Sequence, residues 1–229
     1  MSRSFIDLHC HTSASFDSLS DPAKVVRAAA DRGLTHLVVT DHDRIDGALR
    51  ARDAAPAGLT VIVGEEVRTS DGDLIAAYIH SPIQPGRTAA ETAAAIHAQG
   101  GLVGVPHPFD RFRGSLSKEL ELATLAPLVD WVEVHNARLI GAGNERAAIF
   151  ARDHGIAGVA VSDAHSILEV AVAYTALDGD PSTPDGLLAA LPTAEIIPGR
   201  ASFAARLWTP VAKTVQRARG NRRVPIVLS

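Results

Sequence analysis

The chain is built from short apolar runs, and each run stops on residues that can bind a metal ion. Phe5-Ile6-Asp7-Leu8 leads into His9-Cys10-His11, Leu37-Val38-Val39 into Asp41-His42, and Val61-Ile62-Val63 into Glu65-Glu66. Further on, "GLVGVP" leads to His107, "VDWVEV" to His135-Asn136, and "IAGVAVS" to Asp163 and His165. Continuous apolar runs of this length read as strands covered on both faces, the condition of a parallel sheet. Helical stretches separate them. "SDPAKVVRAAADRGL" has Asp21 as N-cap, Pro22 in the first turn and Gly33 as the stop. Further helices are predicted near Thr88–Gln99, Ser117–Leu125 and Asn144–His154, and "GDLIAAYI" is predicted to form a hairpin with the strand before it. About seven βα units in 229 residues argue for closure into a barrel rather than an open sheet. No linker rich in Gly, Ser or Pro divides the chain. A single α/β domain is therefore expected over 1–229, with the barrel over about 4–200 and a C-terminal helix and basic tail over 201–229.

The placement of the metal-binding residue types then decides what they do. The C-terminal ends of parallel barrel strands share one rim, and active sites are built there because ends distant in sequence converge. His9, His11, His42, His107, His135 and His165, six of the ten histidines, fall at such ends. Residues i and i+2 of a strand point to one face, so His9 and His11 form a chelating pair and Cys10 turns away to pack as a small apolar residue. Taken alone, His-x-His is as well explained by one buried and one solvated histidine. His36 at the opposite rim, His80 beyond the hairpin, and His97 and His154 in helices are given structural roles. Imidazoles mixed with carboxylates suit Zn, Mn or Fe, and so many donors exceed what one ion coordinates. A carboxylate such as Glu66 can bridge a pair of ions.

Composition excludes several other classes. A net charge of −4 does not favour nucleic acid or an anionic membrane as partner, and 4% aromatic residues leave little for base stacking. The local exception is the tail, with Lys213, Arg217, Arg219, Arg222 and Arg223, read as a solvated helix and tail that can touch phosphate. One cysteine and no leader-like first segment point to the cytoplasm, and no apolar run approaches the roughly 20 residues of a membrane span.

Six motifs, "DLHCHTSASFDS", "TDHDRIDG", "GEEV", "VPHPFD", "VEVHNAR" and "GVAVSDAHS", together resemble the PHP (polymerase and histidinol phosphatase) superfamily of metal-dependent phosphoesterases. The resemblance runs from Phe5 to Ser166. It implies a distorted (β/α)7 TIM-like barrel carrying two or three divalent transition-metal ions (Zn, Mn or Fe). Position by position it implies His9, His11, Asp17, His42, Glu66, His107, Asp163 and His165 as ligands, with Glu66 bridging. Asn136 stands where many relatives carry a His or Cys ligand, and the adjacent His135 should point to the other side of the strand. Asp17 follows His11 by six positions where some relatives use five, and Asp73 stands where some have a histidine.

The implied reaction is hydrolysis of a phosphate mono- or diester, of a small phosphorylated molecule or nucleotide, by a metal-activated hydroxide. Asp163 is the expected catalytic residue that orients the nucleophile or takes its proton. Arg111, Arg113 and Arg138 follow ligand-bearing strands and are candidates to hold phosphate. Three other readings stay open: an amide or ester hydrolase using the same ions, a non-catalytic metal-binding module that docks a partner, and a nuclease using the basic tail.

Overall fold

A computed structural model describes residues 3–110, 115–116 and 119–226. In chain order the elements are β1 (Arg3–Cys10), α1 (Pro22–Asp31), β2 (His36–Val39), α2 (Asp46–Asp53), β3 (Thr60–Arg68), β4 (Asp73–Ala77), α3 (Ala89–His97), β5 (Leu102–Val105), α4 (Glu119–Leu125), β6 (Trp131–Asn136), α5 (Gly143–His154), β7 (Ala157–Val161), β8 (Tyr174–Asp178), α6 (Pro184–Ala190), β9 (Glu195–Ile197) and α7 (Phe203–Ala218). The local reasons are those the sequence supplies. Asp21 caps α1 by accepting from the amides of Ala23 and Lys24, Thr88 and Glu91 form a reciprocal capping box on α3, and Gly155 ends α5 in the left-handed conformation.

The strands form one sheet in the order β7-β6-β5-β4-β3-β2-β1-β8-β9. β1, β2 and β3 pair in parallel, β4 runs antiparallel to both β3 and β5, and β5, β6 and β7 pair in parallel. The sheet curls until the end of β7 meets β1. Cys10 bridges Ala164 in parallel, His11 N–H donates to the Ala164 carbonyl at 2.9 Å, and Asp163 N–H donates to the His9 carbonyl at 2.9 Å. At the other end of the seam, β8 lies antiparallel to β1, and the Thr175 hydroxyl bonds both the N–H and the carbonyl of Ala160 at 2.9 Å. The barrel is thus nearly closed, and the hairpin expected at "GDLIAAYI" is β4. The additional antiparallel strands β8 and β9 depart from the seven expected: β9 has three residues, too few to show a period in sequence.

Two apolar layers hold this sheet. Ile6, Leu8, Val38, Ile62, Ile75, Trp131, Val159, Val161 and Leu177 fill the barrel interior. Val25, Val26, Ala29, Ile96, Ala147 and Phe150 belong to the layer between sheet and helices, which Cys10 joins as a fully buried free thiol. The interior plug ends below the rim at which His9 and Glu66 begin. A register shift in β1 between Asp7 and Cys10 marks the change from apolar plug to histidines.

Candidate metal centre

The rim gathers the predicted residues. His9 and His11 turn their Nε2 atoms toward each other at 2.9 Å. Glu66 Oε2 stands 3.3 Å from each of these nitrogens and 3.3 Å from His42 Nδ1, while Asp163 Oδ1 stands 3.6 Å from both His9 and His11 Nε2. On the other side, Asp17 Oδ2 lies 3.4 Å from His42 Nε2 and 3.3 Å from His165 Nε2, and His107 Nε2 lies 3.2 Å from Glu66 Oε1. All are buried. Three groups have ligand atoms within 4.8 Å of one another: His11, Asp17, His42 and His165; His9, His11 and Asp163; and His42, Glu66 and Asp73.

These residues fit metal ions on chemical grounds. The Nδ1 atom of His11 is buried without a hydrogen-bond partner, and that of His42 meets only the Glu66 carboxylate at 3.3 Å without a formed hydrogen bond, a condition that costs free energy unless something binds there. The mixed N/O donor set suits Zn, Mn or Fe. Backbone strain accompanies the placement: His107 and Asp163 have positive φ, at 30° and 52°.

The model of the PHP domain matches residues 7–153, and a PHP-associated model matches residues 141–195. The chain belongs to the PHP domain family. An uncharacterized Methanocaldococcus jannaschii protein is 30% identical over 142 residues, covering 57% of this chain and 81% of that protein. An error-prone DNA polymerase of Cutibacterium acnes is 30% identical over 205 residues, 70% of this chain but 18% of the polymerase. A two-domain Bacteroides vulgatus protein, described as containing a predicted PHP-like metal-dependent phosphoesterase, superposes with a TM-score of 0.69 at 19% identity over 81% of this chain and 61% of its own. This last likeness concerns the fold.

Electrostatics in this PHP site favour the ligand forms of the carboxylates. Burial acts to raise the Glu66 carboxyl, yet His42 and His9 hold it well below the usual range. Asp17 is likewise held down, against burial, by His165 and His42. Burial, with Arg138 nearby, pushes His165 down to about 3, so its imidazole is neutral at pH 7. His42 is drawn up to about 9: burial opposes protonation, but Glu66 and Asp17 outweigh it. An ion entering beside His42 therefore competes with a proton.

Asn136 reaches the cluster, but it presents its Nδ2 to Glu133 Oε2 at 2.8 Å and to Asp163 Oδ2 at 3.1 Å. His135 Nε2 turns away, as expected, to the Gly199 carbonyl at 2.8 Å. The register shift of β6 between Glu133 and His135 is what lets both Glu133 and Asn136 face inward, against simple alternation. Arg138 is not brought into the cavity. Its guanidinium bonds Glu169 at 2.9 Å and the Thr209 hydroxyl at 2.7 Å, which ties α7 to the loop after β6. Arg111 and Arg113 lie outside the described residues. His36, His80, His97 and His154 sit away from the cluster, beside Ser182, Gln99, Asp130 and the Phe150 carbonyl respectively.

The structure adds residues to which the sequence reading gave no ligand role. Glu133, fully buried, accepts from or bonds three site residues: His9 Nδ1 at 2.6 Å, the His107 N–H at 2.7 Å and Asn136. Its signal in the sequence was a carboxylate inside the apolar run "VDWVEV". Asp73, Phe16, Lys213 and Arg223 join the ligands around a cavity of about 210 Å³. Gln216, buried on α7, donates to the carbonyls of Ser13, Ser15 and Ser18 at 2.7, 3.0 and 2.6 Å, clamping the loop that carries Phe16 and Asp17.

Proposed function

We propose that this PHP protein hydrolyses a phosphate ester of a small molecule or nucleotide, using two or three divalent transition-metal ions held by His9, His11, Asp17, His42, Glu66, His107, Asp163 and His165. The observation that carries this reading is the convergence of Glu66 and Asp163 on the paired Nε2 atoms of His9 and His11 at 3.3–3.6 Å. Ions bound there lower the pKa of water and neutralise charge on a phosphoryl group.

The residues of the chain do the rest. Glu133 holds the Nδ1–H of His9 and so keeps Nε2 free for ligation. Asp163, with Oδ1 toward the histidines and Oδ2 taking the Asn136 amide, is oriented to accept a proton from the attacking water or to align it. Lys213 and Arg223 give the cavity a cationic wall that favours an anionic substrate. A cavity of about 210 Å³ admits a phosphoryl group with a small leaving part, which supports a small substrate or a chain end over a duplex. The similarity to a DNA polymerase supports a nucleic-acid end as the second reading.

A panel of p-nitrophenyl phosphate, bis-p-nitrophenyl phosphate, a 5′-phosphorylated oligonucleotide and a p-nitroanilide amide, each with added Mn or Zn and with chelator, tests the proposal. Turnover of a phosphate ester that chelator abolishes is expected. Turnover of the amide alone would assign the site to carbonyl chemistry instead.

A further inference from the structure

One wall of the cavity comes from residues beyond both family matches, which end at 153 and 195. Arg223 lies past the end of α7 and returns over the rim. Its Nε donates to Asp43 Oδ2 at 3.0 Å and its Nη2 to Asp73 Oδ1 at 3.0 Å, with the guanidinium 5.9 Å from the Phe16 ring centre. The placement is fixed from several sides. Asp43 also accepts the Arg68 N–H at 2.8 Å, Arg68 reaches the Val224 carbonyl at 2.5 Å, and Asn221 Nδ2 donates to the Ala14 carbonyl at 3.0 Å.

Asp73 is the carboxylate that distinguishes the third donor group, His42 with Glu66 and Asp73. In the other two groups the carboxylates face imidazoles: Asp17 meets His42 and His165, and Asp163 meets His9, His11 and His165. Asp73 instead has its charge met by a guanidinium, which carries a permanent positive charge. Asn136, which the resemblance places at a ligand position, offers N–H donors to Glu133 and Asp163, and N–H groups do not bind cations. A divalent ion at Glu66 and Asp73 would also be repelled by the adjacent guanidinium.

We propose that Arg223 supplies the positive charge that a third ion would bring to the Glu66–Asp73 side, so that this chain holds two ions and a tethered guanidinium. Asp73 then serves to aim Arg223 rather than to bind metal. The cavity keeps a cation at that wall whatever the metal supply, and Arg223 can meet phosphoryl oxygens from there. The inference rests on the metal-dependent reading of the cluster given above.

The test counts metal rather than activity. Chelator-stripped protein is titrated with Mn, and bound Mn is read by elemental analysis after dialysis and by electron paramagnetic resonance. The wild-type chain should saturate at two ions, Arg223→Lys should stay at two, and Arg223→Met should take up a third. Asp73→Asn in the otherwise native chain should leave both ions bound, and this variant carries the test if Arg223→Met fails to fold. Three ions in the wild-type protein, no third ion in folded Arg223→Met, or loss of an ion in Asp73→Asn would each overturn the proposal. A wild-type chain that binds fewer than two ions would instead contradict the metal-centre reading on which it rests.

Discussion

Replacing Glu133 by Gln keeps the shape of the side chain, removes its charge and leaves a buried donor without an acceptor. Three N–H groups converge on the two carboxylate oxygens, from His9 Nδ1, the His107 backbone and Asn136 Nδ2. Gln offers one oxygen and one NH₂, so while His9 keeps its proton on Nδ1, the form that leaves Nε2 free to ligate, at least one buried donor faces a donor in either orientation. A stranded N–H of this kind costs about 1–3 kcal/mol of stability. The second effect falls on metal binding. A carboxylate behind a ligating imidazole makes it a stronger ligand and fixes its orientation, and its loss typically weakens binding by about 10–100-fold, or roughly 1.4–2.7 kcal/mol. Glu133→Gln should therefore show both a lower melting temperature in chelator and an Mn titration of turnover shifted to higher metal, with recovery at saturation. A variant whose metal titration is unchanged while its melting temperature falls would show that Glu133 serves only the fold.

Gln216→Glu should destabilise the chain by about 1–3 kcal/mol, because an ionised carboxylate cannot donate to the carbonyls of Ser13, Ser15 and Ser18; urea melts and faster protease cleavage within 12–20 would show it. His36 gives a pH dependence away from the metal centre. Burial holds its imidazole below its ordinary value of 6.5, against the pull of Asp180. The folded state thus binds this proton less readily than the unfolded state, so His36 contributes stability above pH 6.5 that is lost as pH falls through its folded-state value. Urea unfolding of His36→Gln across that acid range should show a shallower decline than the native protein, and an identical decline would refute the assignment.

The parts of the site that the sequence made legible are those that parallel strands deliver at their C-terminal ends. His9, His11, His42, Glu66, His107, Asp163 and His165 each follow an apolar run, and the barrel brings those ends to one rim. Asp73 escaped that logic because β4 is antiparallel and presents its first residue, not its last, at the rim beside Arg68. Glu133 escaped because strict alternation would turn it away from the side that Asn136 faces, and only the register shift in β6 turns both inward. Asn136 was placed at a ligand position by the resemblance, and its amide donates there to Glu133 and Asp163. The tail reads as solvated charge because nothing local reveals its return. Gln216 and Arg223 contact residues some 150 to 203 positions earlier, at a range no periodicity reports. Arg138 follows a ligand-bearing strand as the pattern requires, yet Glu169 and Thr209 claim its guanidinium, a competition visible only in three dimensions.

If the rim cluster is a metal centre, crystals soaked in Mn should show it by anomalous scattering. One peak is expected bounded by His9, His11, Glu66 and Asp163 and a second bounded by Asp17, His42 and His165. A rim without anomalous peaks in crystals that bind Mn elsewhere, or in crystals of protein that takes up no Mn, would contradict a metal centre there.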